Sequence, residues 1–406
     1  MIRRRDFLIG CTSVAVASGI ERQAFAQAAP FRVGVLTPIT GSGSAYGSGM
    51  QLTIQGVAEA INAAGGATGR RIEIFVEDSQ TKPEAAVLAA QKLVNVSKVE
   101  AILGTWSSGE AMAVLTSVTN PNDVIHMTVA GTPDFTSQAK PNLGWQVTPS
   151  SYAYGVIYAK IARELGYKRP ATLQFNNASG LAQIQGFNDA WQKMGGTVVS
   201  SVIYEGNRPS YRSELQSVLS GQPDVLICAS YATDALSILR EAFQAGTSAN
   251  FIVSAWALTD KLSEMLGNEF VARISSCNAR LAQDTPSVKA YDELYRRVKG
   301  ADGSSNSYGA MCFDMMNMLG LAVEVAGPSA DRARIATAIR AVANGPGTKV
   351  YGFAEGKKAL ASGAIKYSGA SAELHFDDHG AETSSAFDWL RYENGKQKAV
   401  AILTIS

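Results

Sequence analysis

Residues 31–66 read FRVGVLTPITGSGSAYGSGMQLTIQGVAEAINAAGG, and this stretch decides the class of fold. Residues 31–36 form a short run rich in β-forming residues, and a loop of Gly and Ser follows them. Over residues 47–64, apolar side chains recur at spacings of four and three, as on one face of a helix, until Gly65 and Gly66 end the pattern. The stretch therefore predicts a strand, a glycine-rich loop and a helix, which together open a parallel α/β sheet.

The same alternation continues and predicts two consecutive blocks of strands and helices. The first block has further strands at 71–77, 101–104 and 124–128 and a helix at 83–96. The second has helices at 152–165, 180–194, 211–219 and 234–245 and strands at 171–175, 198–204, 225–229 and 251–254. Each block spans about 120 residues, which suits one domain.

Three further elements follow these blocks: helices at 307–326 and 335–343, and a β-hairpin over 386–404 that turns at Asn394-Gly395. Two Rossmann-like blocks in one chain predict an α/β protein with two lobes around a cleft. Ligands of open α/β sheets bind at the carboxyl ends of strands, where helix N-termini offer free N–H groups, so the cleft is the expected binding site.

Residues 1–28 have the features of an export signal. Arg3-Arg4-Arg5 precedes the apolar stretch 7–20, and Ala-x-Ala cleavage sites end at Ala26 and Ala28. The run 4–8 resembles a twin-arginine signal, with an ordinary secretory signal and a lipobox ending at Cys11 as alternatives. No other segment holds 18 uninterrupted apolar residues, so we predict a periplasmic mature chain that is not inserted in the membrane.

Composition argues against several classes of function. The 406-residue chain has a net charge of +1 and no long basic run, which excludes a counterion-driven nucleic-acid surface. It has no Cys-x-x-Cys, and His375 and His379 fall in a loop, so we expect no metal and no cofactor. No nucleophile accompanies a base, which favours binding over catalysis. Cys228 ends an apolar strand and is predicted to be a buried small hydrophobe.

Short motifs occur in a set order along the mature chain. Residues 33–41 read VGVLTPITG, 61–66 INAAGG, 102–108 ILGTWSS and 239–246 LREAFQAG. In this order they resemble the type I periplasmic solute-binding proteins of the leucine/isoleucine/valine-binding branch, which serve ABC importers. The resemblance implies hinge closure over a small solute and permease subunits as partners, and we expect a monomer.

The resemblance also implies how the chain divides. The two lobes would be joined by three crossovers, near 148–151, 275–278 and 381–386. Lobe 1 would comprise residues 29–149 plus 278–382, and lobe 2 residues 150–277 plus 383–406.

Carried over position by position, the resemblance places the family's ligand residues on several side chains of this sequence. Hydroxyl and backbone N–H groups that bind a solute carboxylate fall on Ser107, Ser108, Ala130, Gly131 and Thr132. Tyr231 matches an aromatic of the second lobe that closes over the solute, and Trp106 would line the same cleft. The alternatives are a helix N-cap for Ser107 and Ser108, and a place in the lobe 1 core for Trp106.

This sequence departs from the family's pattern at two positions. A second-lobe Tyr is replaced by Ser179, and the acidic residue that pairs with a solute ammonium falls on Ala255 or Trp256. Asp234 could substitute for that acid, or it could cap a helix. A buried ammonium without a partner is costly, so we predict a carboxylate solute without an α-amine, aromatic or short aliphatic, with Trp106 and Trp256 around its body. The alternatives are a binder of leucine-like amino acids or amides, an exported enzyme and a receptor module.

Overall fold

The computed structural model describes residues 29–259, 261–383 and 386–405, so the predicted export signal, with Cys11 and both cleavage sites, lies outside the described residues. The first part of the chain alternates strands and helices: β1 (Phe31–Thr37), α1 (Ser44–Ala63), β2 (Ile72–Asp78), α2 (Pro83–Asn95), β3 (Ala101–Gly104), α3 (Ser108–Val114), β4 (Ile125–Thr128), α4 (Asp134–Gln138) and β5 (Gly144–Gln146). These five strands form one parallel sheet in the order β2-β1-β3-β4-β5.

The second part repeats this plan. Its elements are α5 (Ser151–Glu164), β6 (Pro170–Phe175), α6 (Ala178–Lys193), β7 (Ser200–Tyr204), α7 (Arg212–Leu219), β8 (Val225–Ala229), α8 (Ala232–Gln244), β9 (Asn250–Val253), α9 (Leu262–Leu266), α10 (Asn268–Val271) and β10 (Ile274–Ala279). Strands β7-β6-β8-β9-β10 lie side by side in the same order as the first sheet, and all are parallel. The prediction of two Rossmann-like units is confirmed.

The last part of the chain completes both units. It contains α11 (Pro286–Lys299), α12 (Ser307–Ala326), α13 (Arg332–Asn344), β11 (Thr348–Val350), α14 (Phe353–Ala359), β12 (Ile365–Tyr367), β13 (Ala386–Glu393) and β14 (Lys396–Thr404). Helix α12 packs on α1, and β13 adds antiparallel to β10 with β14 beside it. Asn394 and Gly395 turn the hairpin with φ of 51° and 76°, the left-handed pair that a tight hairpin turn requires.

The chain passes between the two sheets three times, as expected from the resemblance. It leaves the first sheet after β5, returns after β10, and crosses again after residues 381–383, because Ala381 still bridges to Gln146 at the edge of the first sheet. The predicted second crossover at 275–278 lies within β10, whose residues pair with β13 as far as Ala279. That passage therefore begins after Ala279; the other lobe bounds stay predictions.

Helix α12 forms the centre of the first lobe. Among the described residues it is the one helix long and apolar enough to cross a membrane, and 89% of its apolar window is buried inside the protein. Asp314, in the middle of this helix, is fully buried and accepts hydrogen bonds from the Tyr367 hydroxyl (2.8 Å) and the Ala370 N–H (2.7 Å). Those bonds tie the segment after β12 to the helix, which identifies α12 as a core helix of the lobe.

The three cysteines of the described chain are all free and buried. Cys228 lies in β8, and burial raises the pKa of its thiol to about 12. The prediction that Cys228 is a small buried hydrophobe is confirmed.

His126 on β4 gives the fold a pH-dependent stability. Its ring is fully buried, and Nε2 lies 2.9 Å from the Thr105 hydroxyl; burial lowers the pKa of His126 from 6.5 to about 3. The unfolded chain binds a proton below about pH 6.5 that the folded chain does not bind until about pH 3, so the free energy of unfolding should fall as the pH drops through that window. In urea unfolding at about pH 7 and about pH 4.5, the wild type should lose more stability than His126→Gln. Equal losses would contradict this assignment.

Candidate functional site

A cavity lies between the carboxyl ends of the two parallel sheets, and it is named the inner cavity. It holds only about 20 Å³ of free volume, enough for about one water molecule, so the lobes must separate for a solute to enter. Its walls come from loops after strands of both sheets and from the first crossover. The lining residues are Trp106, Ser108, Val129, Gly131, Thr148, Pro149, Ser151, Tyr154, Ser179, Tyr231, Trp256 and Tyr308.

Five helices begin at the inner cavity. Ser108 opens α3, Ser151 opens α5, and Ser179 is the second residue of α6. Tyr231 caps α8, and Tyr308 is the second residue of α12. The N-termini of helices carry partial positive charge and unpaired N–H groups. Among the described residues that line the cavity, none has a charged side chain. The site therefore favours a small anion without using Arg or Lys.

Hydroxyl groups form the polar part of the inner cavity. The Oγ atoms of Ser151 and Ser179 lie 3.0 Å apart, and the Gln183 side-chain amide donates to Ser179 Oγ at 3.0 Å. Gln183 Oε1 in turn accepts from the Ser254 hydroxyl at 2.9 Å. This network orients the hydroxyls before a solute arrives, which lowers the ordering cost of binding.

Aromatic rings form the rest of the wall. The Trp106 ring centroid lies 5.1 Å from that of Tyr231 and 5.9 Å from that of Tyr308, and Trp256 packs edge-on against Tyr154 at 5.1 Å. Trp106 is only 5% exposed and belongs to the large core cluster, and its ring also lines the inner cavity. The residue therefore lies both in the core and at the cleft. The Nε1 donor of Trp256 is buried without a hydrogen-bond partner. Such a wall suits a planar or apolar solute body.

Tyr231 spans the cleft. It follows β8 of the second sheet and reaches Trp106, which follows β3 of the first. Burial, and then the nearby Glu110 carboxylate, raise the pKa of the Tyr231 hydroxyl, which stays a neutral donor. Hydrogen bonds with Asn177 and with the Ser108 backbone act in the opposite direction. This side chain therefore forms a contact across the cleft between the two sheets.

Ser107 and Glu110 cap helix α3. The Ser107 N–H donates to Glu110 Oε2 at 2.9 Å, and the Glu110 N–H donates to Ser107 Oγ at 3.3 Å, a reciprocal capping box. Glu110 is fully buried, and burial raises its pKa. The N-cap alternative is confirmed for Ser107, while Ser108, the next residue, lines the inner cavity.

Three further predicted residues lie outside the cavity wall. Ala130 packs in a small cluster with Phe135, and Thr132 is buried with its carbonyl accepting from the Phe135 N–H at 3.2 Å. Gly131, between them, does line the cavity; a Cβ there would lie 2.8 Å from Ser151 Oγ, so the close approach of the first crossover requires glycine.

Asp234 is the third predicted residue that lies outside the cavity wall, and its position differs from the helix N-cap that was one of its two predicted roles. It is the third residue of α8 and not its cap, because Tyr231 holds the N-cap position. Its Oδ1 accepts from the Tyr211 hydroxyl at 2.6 Å and from the Asn207 N–H at 3.0 Å. Asp234 thus holds the loop before α7, and it does not line the inner cavity.

The substitution Asp234→Asn should therefore separate stability from binding. We expect solute affinity to change less than about threefold, and the free energy of unfolding to fall by about 1–2 kcal/mol, because two buried hydrogen bonds lose a charged acceptor. Isothermal titration and urea unfolding of the same preparation measure both. Loss of binding without loss of stability would show that Asp234 is a solute ligand after all.

Sequence reasoning missed half of the cavity wall: Val129, Thr148, Pro149, Ser151, Tyr154 and Tyr308. Ser151 and Tyr308 carried a usable signal, because each lies at the start of a predicted helix in an α/β chain, where ligand contacts are common. Thr148 and Pro149 were predicted only as part of a crossover. Among residues 29–259, 261–383 and 386–405, no group of three or more His, Cys, Asp or Glu could hold a metal.

Comparisons with known proteins agree with this fold. A model of the family described as periplasmic binding protein matches residues 30–360. The Leu/Ile/Val-binding protein homolog 3 of Brucella melitensis biotype 1 is 22% identical over 394 residues, covering 96% of this chain and 98% of that protein.

Solved structures share the fold over nearly the whole chain. The crystal structure of a leucine binding protein from Thermotoga maritima has a TM-score of 0.77 at 22% identity and covers 92% of this chain and 98% of its own. An ABC transporter solute binding protein from R. palustris, solved in complex with benzoate, has a TM-score of 0.73 at 17% identity and covers 93% and 98%.

Proposed function

Since the chain belongs to the periplasmic binding protein family, we propose that it captures a small carboxylate without an α-amine, an aromatic acid above all, and delivers it to the permease of an ABC importer of the branched-chain amino acid type. The observation that carries this proposal is the wall of the inner cavity, which combines the N-termini of α5, α6, α8 and α12 and four hydroxyl-bearing Ser and Thr residues with aromatic rings and no charged side chain.

The absence of an acid among the described lining residues separates the two candidate solute classes. An α-amino acid brings an ammonium group into a site where helix N-termini already supply positive potential. Without a carboxylate partner, burial of that ammonium is costly, and Asp234 is engaged by Tyr211 and Asn207. A benzoate-like acid avoids this cost, and the aromatic rings of Trp106 and Trp256 in the wall suit its ring. The benzoate complex of the R. palustris protein shows that the shared fold accommodates such a solute in that protein.

Amino acids of the leucine type are the second candidate, because several relatives are named Leu/Ile/Val-binding proteins. The two candidates differ in the solute body and in the ammonium group, which only the amino acids carry beside the carboxylate. Location follows from the same proposal: residues 1–28 would direct export, by the twin-arginine route, and the mature protein would work in the periplasm as a monomer.

A thermal-shift screen of the mature protein tests the proposed solute class. The panel contains benzoate, 4-hydroxybenzoate, 4-methyl-2-oxopentanoate and leucine. A ligand at a thousandfold excess over its dissociation constant stabilises the folded state by about 4 kcal/mol, which raises the melting temperature by several degrees. We expect shifts with the amine-free acids and none with leucine. A shift with leucine alone would contradict the proposal.

A further inference from the structure

A second, larger cavity lies next to the inner cavity and is named the outer cavity. It holds about 560 Å³ of free volume and is partly open to solvent. Residues of the second crossover, of the start of α12 and of strands β13 and β14 line it together with the loop after β9. Two residues, Trp256 and Tyr308, line both cavities.

Contacts on the two sides of these rings show that they separate the cavities. On the inner side, Trp256 packs against Tyr154, and Tyr308 packs against Trp106 at 5.9 Å. On the outer side, Tyr308 packs against Tyr46 at 5.1 Å, and Tyr46 lines the outer cavity but not the inner cavity. Trp256 and Tyr308 are both buried, at 9% and 8% exposed. The pair is named the partition.

Trp256 is positioned by the same network that orients the inner cavity. It lies at the centre of a single 3₁₀ turn, Ala255–Ala257, directly after Ser254. The Ser254 hydroxyl donates to Gln183, and Gln183 donates to Ser179 Oγ in the inner wall. The neighbours Ala255 and Leu258 line the outer cavity. The Trp256 indole therefore lies at the point where a solute that extends from the inner cavity would enter the outer cavity.

The outer cavity can receive the far end of a longer solute. Its wall mixes apolar residues such as Leu281 and Leu390 with polar ones such as Asn278 and Gln397. An aryl acid with a second ring would place its carboxylate among the helix N-termini and its far ring beyond the indole.

We propose that Trp256 sets the maximum length of the solute, by closing the inner cavity against the outer cavity. This inference rests on the proposed function of the inner cavity as the solute site. In the wild type the indole excludes acids longer than one ring, and removal of the indole joins the two cavities into one elongated site.

Titration calorimetry with benzoate and biphenyl-4-carboxylate tests the length limit. The wild type should prefer benzoate by about 100-fold, which is about 2.8 kcal/mol, because the longer acid would overpack against a fixed wall. Trp256→Ala should reduce this preference at least tenfold, by weakening benzoate and strengthening the longer acid. Trp256→Phe keeps an aromatic wall and should retain most of the preference. Leu88→Ala, a change at an exposed residue that lines neither cavity, should leave the preference unchanged.

A folded Trp256→Ala protein, judged by circular dichroism, that keeps the wild-type preference would overturn the length limit. So would one that weakens both acids equally. If the wild type instead binds leucine and neither acid, the proposed solute class is wrong, and the length limit is tested on leucine against biphenylalanine with the same variants. Failure of benzoate and leucine alike to bind the wild type would overturn both proposals.

Discussion

Replacement of Tyr231 by alanine is expected to weaken solute binding about 100-fold. The Tyr231 ring contacts Trp106 across the cleft at 5.1 Å and lines the inner cavity. A 100-fold weakening corresponds to about 2.8 kcal/mol, which is less than the about 3–5 kcal/mol that truncation of a fully buried aromatic side chain costs, because the Tyr231 ring is only partly buried. Isothermal titration with benzoate measures the loss, and urea unfolding of the free protein shows how much stability changes.

Tyr231→Phe is the matched control for that experiment. It keeps the ring and removes the hydroxyl that bonds with Asn177 and the Ser108 backbone. One lost hydrogen bond is worth about 0.5–1.5 kcal/mol, so a weakening of about threefold to tenfold is expected. If Tyr231→Ala binds benzoate as tightly as the wild type does, this residue does not hold the lobes closed over the solute.

Conversion of the solute carboxylate to an amide is expected to weaken binding at least about 100-fold. Benzamide has nearly the shape of benzoate, so the aromatic wall should accept both. The helix N-termini of α5, α6, α8 and α12 lie at the cavity and favour negative charge. Hydrogen bonds to charged groups are worth about 1.5–3 kcal/mol each, and the amide also replaces an acceptor with a donor.

Competition calorimetry gives the ratio of the two affinities directly. 4-Hydroxybenzoate is the matched control ligand, since it changes the ring and keeps the carboxylate, and it should stay within about tenfold of benzoate. Benzamide binding within tenfold of benzoate would show that the helix N-termini do not recognise the charge of the solute.

Much of the fold was predictable because several of its central strands are apolar and most of its helices have periodic apolar positions. The strands at 101–104 and 225–229 and the helix at 307–326 agree with the structure residue for residue. Strand β10 was missed because Ser275 and Ser276 interrupt its apolar pattern, yet both are buried between neighbouring strands.

Helix α11 was missed although its ends carry clear signals. Thr285 caps it through the Val288 N–H, Pro286 starts it, and Gly300 follows with a positive φ of 68°. Most residues of this helix are polar, so the sequence pattern did not indicate the apolar face formed by Tyr291, Leu294 and Tyr295. In the folded protein the helix packs against α1.

The candidate site, like the fold, was predictable in part from the sequence. Six of the ten predicted residues, Trp106, Ser108, Gly131, Ser179, Tyr231 and Trp256, line the inner cavity. That these six residues bind the solute remains a prediction. Asp234 could not be placed from the sequence, because its partner Tyr211 lies 23 residues away and reaches it only through the fold. Tyr154 and Thr148 could not be placed either, since the first crossover brings them to the cavity.

Isothermal titration of the mature protein with benzoate and with leucine tests the central claim most directly. The account predicts that benzoate binds at least about 100-fold more tightly than leucine, because an ammonium buried in the inner cavity finds no carboxylate partner. Leucine binding more tightly than benzoate would contradict the account.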